Sequence, residues 1–229
     1  MSIADCVARV QEEIAEAAIK AGRNPEDISL VAATKTQSHE AIVAGIQAGV
    51  TICGENRVQE MVAHQKENSY QGARLDFIGH LQRNKIKQVV GQVDLIQSVS
   101  SRSLMEDIGK YAEKCGICQN ILLEINLGEE DSKSGFFVEE LDEICHISLE
   151  TVGINVKGFM AIPPQVQAEW EKEKFFERLF QLYIDFSPKM SHNYKEFNCL
   201  SMGMSGDFAQ AIAQGSTMVR IGTALFGQR

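Results

Sequence analysis

Two segments near the end of the chain combine apolar residues with groups that can hold a phosphate. The segment Leu200–Gly206 reads LSMGMSG and Met218–Phe226 reads MVRIGTALF, so each apolar run passes into Gly, Ser or Thr. In α/β barrels, the loops after the last two strands hold phosphate through backbone N–H groups and hydroxyls. Near the start of the chain, Lys35 ends the run Leu30–Lys35. A strand-end amine and a phosphate site together predict an aldehyde-bearing phosphorylated cofactor, pyridoxal 5′-phosphate (PLP) above all.

Each of these residues also has a simpler interpretation. Lys35 could be a solvated lysine at a strand–loop junction, or the Schiff-base amine of an aldolase that needs no cofactor. Ser205 could cap the following helix. Arg220 lies within an apolar strand pattern, where a buried cation needs a partner. It could pair with Glu55 or another strand-end acid, or donate a hydrogen bond to the pyridine nitrogen of a cofactor. Because arginine keeps its proton, that second role would leave the nitrogen unprotonated and disfavour deep carbanion chemistry.

Strand and helix patterns alternate along the whole chain. An amphipathic segment, Ala4–Ala21, precedes the first strand, and a helical pattern follows each strand except the last. The strands are continuous apolar runs, as expected for parallel strands buried on both faces, and cover Ile28–Lys35, Val50–Glu55, Leu75–His80, Leu95–Val99, Asn120–Leu127, Asn155–Ile162, Phe197–Met202 and Met218–Leu225. We therefore expect one domain, residues 1–229, of the α/β class, folded as a (β/α)8 TIM barrel with an extra N-terminal helix.

Composition limits the partners and the compartment. The chain has 229 residues and a net charge of −9, which argues against nucleic acid or an anionic membrane surface as a partner. No apolar run approaches the roughly 20 residues of a membrane span, and the amino-terminal segment lacks the apolar centre of a signal peptide. The six cysteines are scattered, so we expect a cytoplasmic protein without disulfides or a metal site. The CxxC pair, Cys115 and Cys118, is interpreted as incidental.

Five segments closely resemble the YggS/PROSC family of pyridoxal phosphate homeostasis proteins. They extend from the first strand to the last and read LVAATKTQ (Leu30–Gln37), GENRVQE (Gly54–Glu60), FIGHLQRNK (Phe77–Lys85), GFMAIPP (Gly158–Pro164) and LSMGMSGDFAQAIAQGSTMVRIGTALFG (Leu200–Gly227). The resemblance implies a fold-type III PLP-binding barrel, like the N-terminal domain of alanine racemase.

The resemblance also implies a role for each candidate residue. Lys35 would hold PLP as an aldimine, and Arg220 would face the pyridine nitrogen. Six further residues would hold the phosphate or line the ring, namely Ser205, Gly222 and Thr223 for the phosphate and Asn56, Ser201 and Met202 for the ring.

Two departures from the family pattern accompany the resemblance. Asp76 stands before FIG, where relatives usually carry a histidine. The chain also ends soon after the last strand pattern, so we expect neither the second, all-β domain of the racemases nor the tyrosine base that this domain supplies. Two-sided proton transfer at an α-carbon would then lack one of its two bases.

The function implied by the resemblance is regulation of intracellular PLP and of amino-acid balance. The cofactor would be held reversibly, without catalytic turnover, and apo-enzymes that need PLP are the recipients that this function suggests. The alternative is a PLP-dependent amino-acid racemase or lyase. A monomer is expected, because racemases pair through the domain that is missing here.

Overall fold

A computed structural model describes residues 2–128, 134–164, 169–194 and 196–227. Within these ranges, eight parallel strands form a closed barrel in the order of the sequence. The strands are β1 (Ser29–Ala33), β2 (Ile52–Glu55), β3 (Arg74–Phe77), β4 (Leu95–Val99), β5 (Gln119–Glu124), β6 (Ile154–Met160), β7 (Cys199–Ser201) and β8 (Met218–Ile221). The barrel closes where β8 pairs with β1, in a register that places Arg220 beside Val31. The predicted (β/α)8 class is confirmed.

Helices surround the barrel and connect successive strands. They are α1 (Ile3–Lys20), α2 (His39–Gln47), α3 (Val58–Lys66), α4 (Ile86–Val89), α5 (Arg102–Lys114), α6 (Leu141–Glu150), α7 (Glu169–Ser191), α8 (Phe208–Ala213) and α9 (Thr223–Phe226). Helix α1 begins at a capping box, in which Ser2 Oγ accepts a hydrogen bond from the Asp5 N–H at 3.1 Å and the Asp5 carboxylate accepts one from the Ser2 N–H at 2.9 Å. It packs against α2, α8 and α9, so the predicted extra helix closes the outer ring between the last and first units.

Alternation along each strand divides the buried side chains between two cores. Outward-facing residues such as Phe77 and Val219 join the large core between the strands and the helices. Inward-facing residues such as Val31, Leu122 and Met160 form a smaller cluster inside the barrel. Both faces therefore bury apolar side chains, which explains why the strands read as largely apolar runs.

The structure corrects the predicted ends of several elements. The last strand was expected to reach Leu225, but β8 ends at Ile221 and the chain turns at Gly222 into the short helix α9. The N–H groups of Leu225 and Phe226 both donate to the Gly222 carbonyl at 3.0 Å, so these apolar residues pack from a helix and a helix follows the last strand as well. The helical pattern that follows the sixth predicted strand covers Ala168–Asp185; Ala168 lies outside the described residues, and α7 continues beyond this pattern to Ser191.

Across the described part of the chain, no helix combines the length and the apolar composition that crossing a bilayer requires.

Candidate functional site

A cavity of about 300 Å³ opens at the carboxyl ends of the strands. Six of the eight candidate residues line it, namely Lys35, Asn56, Ser205, Arg220, Gly222 and Thr223. The strands that carry or precede these residues are β1, β2, β7 and β8, which are neighbours around the closed barrel. Active sites of α/β barrels lie at this end, because loops from several strands converge there.

Lys35 follows β1 in a tight, strained turn. The Gln37 N–H donates to the Thr34 carbonyl at 3.0 Å, and Thr36 between them has a φ of 61°. This left-handed conformation is costly for a β-branched residue. The Thr36 N–H is held by the Glu60 carboxylate at 2.8 Å, which compensates part of the cost. The turn leaves the Lys35 side chain exposed at the cavity.

Ser205 and the turn after β8 form a group of hydrogen-bond donors. Ser205 Oγ accepts bonds from the N–H groups of Gly222 at 3.3 Å and Ala224 at 3.4 Å. Both distances are long, and the Ser205 hydroxyl hydrogen is free to donate elsewhere. A Cβ at Gly222 would lie 3.3 Å from the Ala33 Cβ, so glycine keeps the backbone close to β1. A hydroxyl and two weakly bonded backbone N–H groups therefore lie together beside the cavity, an arrangement suited to an anion.

Arg220 is buried inside the mouth of the barrel. Its guanidinium donates to Ser201 Oγ at 2.5 Å and to the Ala161 carbonyl at 3.0 Å. Burial lowers the pKa of Arg220 to about 10, while the nearby Glu124 carboxylate acts in the opposite direction. The group therefore remains a cation at neutral pH. Burial raises the pKa of Glu124, opposed by its hydrogen bond from Ser134 and by the charge of Arg220.

The alternative pairing of Arg220 with Glu55 is not observed. Glu55 Oε1 instead accepts bonds from Thr34 at 2.7 Å and Tyr70 at 2.9 Å, and lies 3.2 Å from His64 Nδ1. Glu55 occupies the end of β2 and is fully buried. Its carboxylate therefore belongs to a polar cluster with Tyr70 and His64, and Arg220 has other partners.

Asn56 has a side-chain oxygen that stands out at the cavity. Asn56 Oδ1 is buried and accepts no hydrogen bond from the described residues. A Cβ at Gly79 would lie only 2.0 Å from the Asn56 carbonyl oxygen, so glycine at that position allows the two strand ends to meet. A buried, unpaired amide oxygen beside a cavity is costly unless a ligand or water satisfies it.

Two of the candidate residues do not line the cavity. Ser201 lies one layer deeper inside the barrel, where it bonds to Arg220. Met202 was expected to line the cofactor ring, but its fully buried side chain belongs to the outer core between strands and helices. The reason is alternation, because adjacent residues at a strand end face opposite sides of the sheet. Ser201 faces inward, so Met202 faces outward.

Several lining residues are not among the eight candidates. They are Gln37, Ile78, Ile162, Met204 and Gly206. Each lies just beyond the end of a strand, so strand-end position was the available signal. The apolar members resemble ordinary core residues in composition and carry no chemical signature of their own.

A larger recess lies at the opposite, amino-terminal end of the barrel. It has a volume of about 720 Å³, and polar and charged residues such as Arg74, Asp94 and Asn120 line it. None of the candidate residues borders it. The candidate site is thus the smaller cavity, selected by its chemistry rather than its size.

Comparison with known proteins identifies the family. Residues 7–229 match the alanine racemase N-terminal domain family. The pyridoxal phosphate homeostasis protein of Aquifex aeolicus is 37% identical, over 100% of this chain and 99% of its own length. That of Escherichia coli K12 is 38% identical, over 99% and 97%. The structure of PipY from Synechococcus elongatus PCC7942, with PLP bound, superimposes with a TM-score of 0.86 at 28% identity, over 99% of this chain and 100% of PipY. This chain therefore belongs to the pyridoxal phosphate homeostasis proteins, a family with the fold of the alanine racemase N-terminal domain.

Proposed function

We propose that this protein binds PLP in the cavity at the carboxyl ends of the strands, through a Schiff base with Lys35, and so regulates the free PLP of the cell. The observation that carries the proposal is the convergence of three kinds of group on one cavity. These are the amine of Lys35, the guanidinium of Arg220, and the donors around Ser205.

The described residues fit the chemistry of PLP. The Ser205 and Thr223 hydroxyls and the Gly222 N–H would hold the phosphate, because hydrogen bonds to a charged acceptor are the strong ones. The unpaired Asn56 Oδ1 would gain a partner. Related proteins support the assignment, since PipY has been determined with PLP bound.

Arg220 would face the pyridine nitrogen. Two of its N–H groups are used by Ser201 and Ala161, and a guanidinium has five, so donors remain for a ligand. When bound, PLP supplies a reactive aldehyde and an electron sink, and a nitrogen that accepts a bond from arginine makes that sink weaker. Arg220 therefore favours holding the cofactor over deep carbanion chemistry.

We further propose that the protein holds PLP without turnover and releases it to apo-enzymes. Racemisation needs proton transfer on two faces of an α-carbon. The cavity lining in the described ranges carries Lys35 and Arg220 as its charged groups, with Gln37, Asn56, Ser205 and Thr223 as further polar side chains. This set has one amine suited to proton transfer, which favours storage over racemase or lyase activity.

An absorption titration tests cofactor binding. Adding PLP to the protein should produce an imine band that saturates at one cofactor per chain, and Lys35→Ala should abolish this band. A cofactor-free aldolase would show no such band, which would overturn the proposal.

Two further assays test the proposed role. Transfer of PLP to an apo-enzyme should be faster from the PLP-loaded wild type than from a mixture of the Lys35→Ala variant and free PLP. Both samples contain the same concentrations of protein and of PLP. Incubation with a panel of amino acids should leave their chirality unchanged and yield no product. Steady turnover of any amino acid would establish the racemase or lyase alternative instead.

Gel filtration with light scattering should give the mass of a monomer.

A further inference from the structure

A continuous chain of hydrogen bonds runs through the inside of the barrel, from Arg220 towards the opposite end. Arg220 donates to Ser201 Oγ at 2.5 Å, and Ser201 Oγ donates to Gln97 Oε1 at 2.7 Å. Gln97 Nε2 donates to Asp76 Oδ2 at 2.7 Å. Arg74 completes the chain with two bonds to the Asp76 carboxylate, both of 2.9 Å. Four strands, β8, β7, β4 and β3, are thereby connected across the barrel.

From Arg220 to Asp76, every donor along this chain points towards Asp76, and Arg74 donates to Asp76 from the other side. A carboxylate only accepts hydrogen bonds, so Asp76 requires the amide nitrogen of Gln97 to face it. The second N–H of that amide contacts Met218 Sδ at 3.1 Å, and the amide oxygen must then face Ser201. The Ser201 hydroxyl hydrogen is used on that oxygen, which leaves its lone pairs for Arg220. Asp76 therefore sets the orientation of the Gln97 amide and, through it, of the Ser201 hydroxyl that accepts from Arg220.

Such a chain is unusual filling for a barrel. Barrel interiors are mostly packed with branched apolar side chains, and buried polar groups are costly unless every one is satisfied. Asp76, Gln97 and Ser201 are each buried to 2% exposure or less. None of them lines the cavity, so contact with a ligand does not account for them. Their complete pairing, ending on Arg220, points to a role in positioning this one side chain.

We infer that Asp76 and Gln97 are positioning residues that act through Ser201 to hold the Arg220 guanidinium in the orientation that the pyridine nitrogen of PLP requires. The inference rests on the proposed binding of PLP. It assigns a role to the position at which this chain has an aspartate, and it predicts that changes deep inside the barrel alter a cofactor that they do not touch.

Gln97→Leu tests the inference. Leucine has a similar volume but cannot form hydrogen bonds with its side chain, so the variant interrupts the chain of hydrogen bonds between Ser201 and Asp76. Gln119→Leu is the matched control. Gln119 is a buried amide on β5 that bonds to the backbone carbonyls of Val93 and Asn120 and has no part in the chain. Asp76→Asn is a second, nearly isosteric variant, which retains an acceptor for Gln97 but loses the charge.

Two readouts are measured on each variant. In the cofactor-free protein, NMR exchange of the Arg220 guanidinium protons should be slow in the wild type and in Gln119→Leu and faster in Gln97→Leu. With PLP, Gln97→Leu should raise the Kd by about 2- to 12-fold, the change for one intramolecular hydrogen bond, and shift the absorption maximum of the bound cofactor. Asp76→Asn should change the proton exchange, the Kd and the absorption maximum in the same directions, by smaller amounts.

The results separate this inference from the proposed function. If the wild type forms no PLP band that depends on Lys35, the proposed function fails. If it forms that band, and folded Gln97→Leu and Asp76→Asn match the wild type in exchange, Kd and spectrum, the inference is overturned. Equal changes in Gln119→Leu would also overturn it, because they would show a general effect of buried amides.

Discussion

Replacing Ser205 with alanine separates binding of the cofactor phosphate from stability of the fold. In the structure, the Ser205 hydroxyl accepts two long bonds, from Gly222 N at 3.3 Å and Ala224 N at 3.4 Å. Ser205 is only partly buried and borders the open cavity, so water can satisfy these N–H groups in the variant. The free energy of unfolding should therefore fall by less than about 1 kcal/mol.

The effect on binding should be larger. A hydroxyl that donates to the phosphate dianion contributes about 1.5–3 kcal/mol, which corresponds to a rise in Kd of roughly 12- to 160-fold. The Kd is measured by absorption titration with PLP, and stability by urea unfolding of the cofactor-free protein.

Ser2→Ala is the matched control for this prediction. Ser2 caps α1 through its bond from the Asp5 N–H, and losing an N-cap costs about 0.5–2 kcal/mol of stability. The control should therefore unfold more easily and bind PLP like the wild type. A Ser205→Ala protein with a Kd within threefold of the wild type would refute the assignment of Ser205 to the phosphate.

Two further predictions concern strain and thiol chemistry. Thr36→Gly should raise the free energy of unfolding by about 0.5–2 kcal/mol, because glycine relieves the left-handed strain. Asn68→Gly is the control and should change it less, since asparagine tolerates its φ of 56°. A Thr36→Gly variant that is less stable than the wild type in urea unfolding would contradict this prediction. Burial raises the pKa of three thiols to about 12, and the thiolate is the reactive form. Iodoacetamide at pH 8, followed by peptide mass spectrometry, should label the exposed Cys115 and Cys118 and spare Cys53, Cys145 and Cys199; fast labelling of the buried three would contradict their placement.

The barrel could be predicted from the sequence because both faces of its strands are buried. Apolar runs such as Leu30–Ala33 show no alternation of apolar and polar residues, and their regular spacing between helical patterns leaves few architectures. The predicted end of the last strand, Leu225, was wrong because apolar composition also misled there. The residues after Gly222 are small or apolar, and such residues are found both in buried helices and in buried strands. Composition therefore does not show which of the two elements they form.

The candidate site was predictable where residue type carries chemistry, and less so where orientation matters. Lys35, Ser205 and Arg220 stand out as polar groups at strand ends, and the structure brings them to one cavity. Met202 faces the opposite side of the sheet from Ser201. Because Gly203 follows at the end of the strand, the sequence does not show which of the two residues faces the inside of the barrel. The partners of Arg220 depend on the register of strands distant in sequence, so its link to Asp76 could not be predicted.

The proposed function depends on a covalent link between the cofactor and Lys35. Borohydride reduction of the PLP-saturated protein, followed by peptide mapping, tests it most directly. We predict a single pyridoxyl label on the peptide that contains Lys35, at one label per chain. A label on another lysine, or an unlabelled Lys35 in protein that retains PLP, would contradict the account.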